Sequence, residues 1–423
     1  MRQGRWYHGW NIVAACVLAQ LASLGMPINA FSLFLHDWSV AFKTPVSTLQ
    51  LAQPAFGLVI AIINPFVGIC ADKFPARRLF GWAMVGMALF CVAMGSVTAT
   101  WQIFALYVLL LPLALDFGAA VPANAVISRW FVRRLGFALG LSAFGLGLGG
   151  VVLPPLIGAL LPVVGWRWLW RLAGLFILVL ALPVMLAVFR DRPDPERDDM
   201  SYVNTGSAAG AAHGHGGDLT SREIFRRRNF WLLLGAFLPV LSATEGVLLN
   251  LAPIVRSHGL GPQAAGGLLA VLSSTHLAAT IGLGLVVDKF GNRRPLAALG
   301  LIGAAGLAIA ALASNFTSLA VAFAVVGLLG GVWTPLGAAI SAEFGARNFG
   351  RAFGLMTAFS PIGLLAGFAV AKAQEIQGGY GPVLFVLGGG CLIATLLALM
   401  IREARPSRSA ATPGAPLETT PAA

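Results

Sequence analysis

Long apolar runs, each about the length a helix needs to cross a hydrocarbon core, alternate with short polar connectors over most of the chain. Twelve can be drawn, at 10–35, 48–71, 79–98, 102–127, 136–161, 168–189, 230–255, 264–287, 295–313, 317–342, 352–374 and 382–401. Their apolar residues are continuous rather than alternating, which predicts helices and not a barrel, the only other structure that satisfies every backbone group in lipid. The pattern breaks after the sixth run, where residues 190–218 are charged and then rich in Gly, Ala and Ser, the composition of a flexible linker. It breaks again after Arg402, where Pro, Ala, Ser and Thr replace the apolar residues and predict disorder. The expected organisation is a six-helix bundle over 1–189, a linker over 190–228, a second six-helix bundle over 229–402 and a disordered cytoplasmic tail over 403–423. Near the end of the linker, Thr220 and Glu223 have the spacing of a capping box, which predicts a short amphipathic helix along the inner membrane surface.

Composition agrees with a membrane solvent: 58% of residues are hydrophobic and 10% charged, against about a quarter charged in soluble domains. A net charge of +12 would point to nucleic acid in a soluble chain. Here the charges are sorted by the alternation of runs instead. Of the Lys and Arg residues, all but Lys43, Arg167, Arg171, Arg256 and Lys372 fall at one side, so the positive-inside rule places both termini in the cytoplasm. The basicity is topological, and no nucleic-acid partner is expected. The first run is longer than a signal-peptide core and is expected to stay as an anchor in the cell (inner) membrane. Cys16, Cys70, Cys91 and Cys391 lack paired-ligand spacing and read as small packing residues. His213 and His215 supply too few ligands for a closed zinc site, so neither a metal nor a cofactor is expected.

A second regularity is a duplication. GICADKFPARR at 68–78 returns as GLVVDKFGNRR at 284–294, each between two apolar runs, and fixed-period similarity of this kind marks an internal repeat. An acid at the inner end of a helix, followed by a turn and an Arg pair, can reach helix termini and carboxylates of the neighbouring half. Gly68, Asp72, Lys73, Arg77 and Arg78, with Gly284, Asp288, Lys289, Arg293 and Arg294, are therefore expected to form two conformational latches on the cytoplasmic side.

These paired clusters resemble the hallmark loop, GxxxDRxGRR-like, of the major facilitator superfamily, with Lys73 in place of Arg and Pro75 in place of Gly. The resemblance spans essentially residues 5–402 and implies twelve transmembrane helices in two pseudo-symmetric six-helix bundles, an all-α integral membrane fold. WYHGWNIV at 6–13, RWFVRRLGFALGLSAFGLGLGG at 129–150, and Pro154-Pro155 followed by GWRW at 165–168 are similar to the monocarboxylate and oxalate/formate porter branch. Some members of that branch are understood to hold an organic anion with a basic residue in helix eight and, in oxalate carriers, another in helix eleven. Here the eighth run carries His276 and no Lys or Arg, and the eleventh is uncharged until Lys372.

Ionisable residues at mid-bilayer cost at least about 2.5 kcal/mol each on insertion scales and are functional candidates by default. Asp116 lies about 20 Å from Arg129 along a helix and Glu245 about 26 Å from Arg228, so both acids reach similar depths. In the fold the resemblance implies, helices one, four, seven and ten line the cavity, and these acids lie on two of them. Burial favours the protonated form of a carboxyl group, so Asp116 and Glu245 are candidates for carrying a coupling proton, with His276 a third. Asn29, Gln53, Asn124, Ser242, Asn250, Thr280 and Trp333 are candidate cavity residues, although helix-to-helix hydrogen bonding competes for each polar one. Gly145, Gly147, Gly149 and Gly150 before Pro154, and Gly363 and Gly367 around Pro361, suit helices that rock against one another.

The expected protein is a secondary transporter working by alternating access, with proton-coupled uptake of a small organic acid as the first reading. The absence of Lys or Arg in the cavity together with buried carboxylates also suits a proton-driven exporter of amphipathic or cationic compounds. No hydrolase, metalloprotease or phosphate-loop motif occurs, so an enzyme is not expected. A monomer is expected, since one chain already holds both halves.

Overall fold

The computed structural model describes residues 7–73, 76–118, 126–127, 130–131, 135–190, 219–345 and 348–401. The interior of the predicted linker and the tail lie outside this range. The first half contains α1 (Gly9–Leu24, a π-helical turn Gly25–Asn29, then Phe31–Phe42) and α2 (Val46–Gln50 leading into Ala52–Lys73). There follow α3 (Ala76–Met94), α4 (Thr100–Ala105, a π-helix Leu106–Leu110, then Leu111–Gly118), α5 (Leu135–Val164) and α6 (Trp166–Phe176, a π-helix Ile177–Ala181, then Leu182–Val188). The second half contains α7 (Arg228–Ser257), α8 (Pro262–Phe290), α9 (Arg293–Leu312) and α10 (Phe316–Gly327, a 3-10 stretch Leu328–Val332, then Trp333–Phe344). It closes with α11 (Phe349–Thr357 and Ser360–Gln377) and α12 (Gly381–Leu399). Among the described residues eleven helices are long and apolar enough to cross a membrane, and the shorter apolar stretch Thr100–Leu115 lies in the remaining one, α4.

Local chemistry sets the helix ends. α8 begins with Pro262 at its first position, where the missing N–H is no loss, and stops at Gly291, whose φ of 76° a side chain would resist. That glycine is the one in the second DKFGNRR cluster, so the repeat encodes the turn as well as the charges. α10 begins at Asn315, whose Oδ1 accepts the Ser318 N–H at 2.9 Å.

Packing repeats with a shift of six helices. α3 lies on α6 as α9 lies on α12, α1 on α5 as α7 on α11, and α2 on α4 as α8 on α10. Between the halves, α5 meets α8, α11 meets α2, and α1 meets α7. The protein is thus an all-α membrane fold of two pseudo-symmetric six-helix bundles. Large apolar side chains such as Leu109, Val163, Leu285 and Val386 face outward, where a hydrocarbon solvent would cover them.

Because the helices alternate in direction, the turns after α2 and α8, the start of α7 and the end of α6 lie at one end of the molecule, the basic end. The halves touch mainly at the other, far end. There Gly158 of α5 packs against the Pro262 backbone, and Gly266 of α8 against Pro154; a β-carbon at either would lie 2.5 Å or less from a carbonyl oxygen. Toward the basic end, Gly282 and Gly284 of α8, Gly337 of α10 and Gly354 of α11 have no described atom within 4 Å of where a β-carbon would stand. Among the described residues the bundles meet closely at the far end and make no such approach at the basic one.

At the basic end the helix Ser221–Arg226 begins at Thr220, whose Oγ1 accepts the Glu223 N–H while Glu223 Oε2 accepts the Thr220 N–H at 2.7 Å. Arg227 Nη1 donates to the Glu343 carbonyl (3.1 Å), Asn229 Nδ2 to the Glu343 carboxylate (2.7 Å), and Leu219 N–H to Asn348 Oδ1 (2.9 Å). These bonds fasten the linker's end to the connection between α10 and α11. The Thr220 backbone N–H, and then its hydroxyl, hold the Glu223 carboxyl below the ordinary carboxylate range. Its stabilisation is therefore present above the ordinary Glu pKa of about 4.3 and is lost as pH falls through the lowered folded value. Hydrogen exchange is expected to show the Ser221–Arg226 amides protected above that ordinary pKa and progressively less so as pH falls through the lowered folded value, whereas Thr220→Ala loses protection at neutral pH.

Candidate functional site

The centre of the seam is built on a break in α1. Pro27 has no N–H to donate, and the turn around it widens so that the Ala30 N–H reaches back five residues to the Gly25 carbonyl at 3.0 Å. The Pro27 carbonyl accepts two donors, Gln53 Nε2 of α2 at 3.2 Å and the Tyr107 hydroxyl of α4 at 3.0 Å. Gln53, expected as a cavity residue, is instead buried and holds this turn in place. The widened turn sets Asn29 against α5. Its side chain lies 3.4 Å from where a β-carbon would stand at Gly149 and at Gly150, and Ser273 of α8 approaches Gly150 from the other half. Glycine at 150 is what lets a polar side chain from each bundle reach one point. Ser273 was not among the residues the sequence singled out.

On α7, Asn250 also proves structural. It is buried, and its Nδ2 donates to Gly246 O (2.8 Å), Gly367 O of α11 (3.0 Å) and Gln50 Oε1 of α2 (3.3 Å), while Gln50 Nε2 donates back to Asn250 Oδ1 (2.7 Å) and to Leu249 O (3.2 Å). Gln50, Asn250 and Gly367 thereby stitch the two bundles together. A further stitch lies closer to the far end, where the Ser47 N–H donates to Glu375 Oε1 at 3.2 Å.

Glu245 lies about one turn from this stitch, on its basic-end side. It is half-buried and makes no hydrogen bond or ion pair with any described residue. Ser242, also half-buried, lies about one turn further toward the basic end on the same face. A carboxyl group within a membrane span and without a partner among the described residues can bind a proton or a cationic group.

The other candidates lie on α8 and α10. The His276 ring packs onto Gly330 in the 3-10 stretch, so closely that a β-carbon there would overlap it, and its nitrogens have no hydrogen-bond partner among the described residues. Thr280 is exposed and donates to the His276 carbonyl at 2.9 Å. Trp333 meets Phe237 of α7 edge to face at 4.8 Å and Phe353 of α11 at 6.4 Å, and is half-buried. The Asp116 side chain and all of Asn124 lie outside the described residues.

Of the latch clusters, Arg77, Arg78, Lys289 and Arg294 are exposed at the basic end, and Arg293 is half-buried. Gly68, Gly284, Asp72, Lys73 and Asp288 have helical backbones; the side chains of Asp72, Lys73 and Asp288 lie outside the described residues. Cys16, Cys91 and Cys391 are buried free thiols, and no group of three metal-ligating side chains occurs among the described residues.

The chain matches the Major Facilitator Superfamily over residues 14–281 and 240–423, and it belongs to that superfamily of transporters. It is 28% identical over 395 residues to an oxalate:formate antiporter of Oxalobacter formigenes, covering 88% of each chain. It is 25% identical to the agnestins efflux protein AgnL12 of Paecilomyces divaricatus, covering 92% of this chain and 86% of that one. The fold is that of a bacterial homologue of the human lysosomal transporter Spinster, crystallised in an inward-facing, unoccupied conformation (TM-score 0.64, 18% identity, 94% of this chain and 96% of the other).

Proposed function

We propose that this transporter couples the movement of a small organic acid to a proton carried by Glu245, by alternating access across the cell membrane. The observation that carries this reading is Glu245 itself: a half-buried carboxyl group within the membrane span α7, without a hydrogen-bond or ion-pair partner among the described residues, and about one turn from the amide cluster that joins the bundles. With the basic end in the cytoplasm, as the sorting of Lys and Arg directs, the conformation described is open to the cytoplasm. The similarity to an oxalate:formate antiporter along nearly the whole chain supports an organic acid as cargo. Asp116 and His276 are further proton carriers, and Asn29, Ser273, Ser242 and Trp333 offer hydrogen bonds and a flat apolar wall to a substrate. The duplicated basic turns close the cytoplasmic end in the opposite state, Asp72 and Asp288 acting as latches. The working unit is a monomer.

An unpaired carboxyl group equally suits a cation, and the similarity to an efflux protein supports that second reading, a proton-driven exporter of amphipathic or cationic compounds. Proteoliposomes with an imposed pH gradient separate the two. Organic-acid symport gives accumulation of a radiolabelled carboxylate with the gradient, accompanied by proton entry; no carboxylate movement together with gradient-driven extrusion of a cationic dye would replace the first reading with the second.

A further inference from the structure

At the far end the seam encloses a cavity of about 200 Å³ that the site above does not use. α1 supplies Ser32 and His36, α7 supplies Arg256, Gly261 and Pro262 bring the start of α8 to it, and Tyr380 closes it beside α12. Three of these features favour an anion. Arg256 is exposed, makes no hydrogen bond or ion pair with a described residue, and acts electrostatically on His36 and Asp37. The start of a long helix presents backbone N–H groups without intrahelical acceptors and the positive end of its dipole. Ser32 lines the cavity and is 2% exposed, and its hydroxyl oxygen, buried in the cavity wall, has no hydrogen-bond partner among the described residues; a turn about its Cα–Cβ bond would present it to a ligand. A buried hydroxyl left unpaired is costly, and a ligand oxygen would satisfy it. Two carboxylates lie nearby, Asp37 and Glu375, the latter acting electrostatically on Tyr380 and paired with Lys372; neither lines the cavity.

We propose that this cavity is a binding site for one short carboxylate, distinct from the Glu245 site, with Arg256 pairing with the carboxylate oxygens and Ser32 donating to one of them. The volume is below the roughly 300 Å³ at which drug-sized sites begin, so acetate or oxalate fits where a large amphiphile does not. Mostly apolar remaining walls accommodate a carbon substituent better than a fully hydrated inorganic anion. Ser32 and His36 belong to one bundle and Arg256 to the other, so the site is complete only when the far end is closed. An anion bound there favours that closed state by mass action and holds the transporter open toward the basic end. This inference rests on the seam and not on the identity of the transported substrate.

The test is thermal unfolding of the full-length protein in detergent at fixed pH and ionic strength, titrated with acetate, oxalate, phosphate or methylammonium. Either carboxylate should raise the midpoint saturably. Arg256→Gln should weaken half-saturation by about tenfold, as expected for loss of a charge-assisted pair, and Ser32→Ala by a smaller factor. Arg256→Lys, which keeps the charge but not the fork, should fall between wild type and Arg256→Gln and serves where the Gln variant does not fold. Lys43→Gln, which removes an exposed positive charge at the same end outside the cavity, should leave the titration unchanged. Wild-type half-saturation in both Arg256 variants, equal shifts with phosphate or methylammonium, or no saturable carboxylate response in wild type would each overturn the proposal. Loss of carboxylate uptake with this binding intact would bear on the proposed function alone.

Discussion

Glu245→Gln is expected to abolish pH-driven accumulation while leaving the protein folded and able to exchange substrate across the membrane. A gradient of one pH unit is worth about 1.4 kcal/mol per coupled proton, or about tenfold accumulation of substrate, and that ratio should fall to unity in the variant. Glutamine keeps the shape and hydrogen-bonding capacity of a protonated carboxyl group but cannot release a proton. Glu245 has no described ion-pair partner, so the change breaks no salt bridge, and thermal stability should stay within about 0.5 kcal/mol of wild type. Counterflow driven by substrate on both sides requires no net proton movement and should persist. Retention of wild-type accumulation in Glu245→Gln would move the proton to another group, with Asp116 and His276 next in line.

The second large effect is expected at the stitch between the bundles. Asn250→Ala removes a donor that reaches three carbonyl oxygens and an acceptor that holds Gln50. In the state closed at the far end, Gln50 Oε1 then loses its described donor and stays buried, at about 1–3 kcal/mol, while Gln50 Nε2 keeps only Leu249 O. Once the far end opens, water satisfies the same groups. The penalty therefore falls on one state only and should shift the conformational equilibrium toward far-end opening by about 5- to 150-fold. Spin labels at Val40 and Ile376, exposed positions near the far end of each bundle, report the change as growth of the longer distance in electron–electron double resonance. An unchanged distance distribution would show that the amide cluster does not hold the far end shut.

Much of the architecture is legible in the chain because a membrane helix needs only local information: a long apolar run and a polar stop. Helix ends differ from the apolar runs where polar residues continue a helix beyond lipid. α1 runs on to Phe42 through His36 and Asp37, for example, since a helix reaching water tolerates charge. The DKF repeats also carry local information, down to Gly291 with its positive φ. The seam is different, because each of its bonds joins residues from different halves. Gln50 looks like any glutamine at the start of a span until Asn250 is set beside it. Gln53 and Asn250 look available to a substrate, yet buried amides must find partners, and these find theirs in backbone carbonyls across helices. Ser273 looks like one of two adjacent serines until Gly150 brings it close to Asn29. Arg256 counts simply as an exterior positive charge, although it lies about three turns from Glu245 on the same face of α7. The π-turn at Pro27 could be read as a kink, but not its two donors, which come from α2 and α4.

Labelling of a single cysteine beside Glu245 tests alternating access at this site most directly. Ser242→Cys, placed about one turn from the acid on the same face and half-buried in the structure, is reconstituted in oriented proteoliposomes and treated with a membrane-impermeant thiol reagent from either side. Modification should proceed from the basic side and, more slowly, from the far side, and Asn250→Ala should reverse that preference. Modification from the basic side alone, unaltered by Asn250→Ala, would show that the space around Glu245 never opens to the far side.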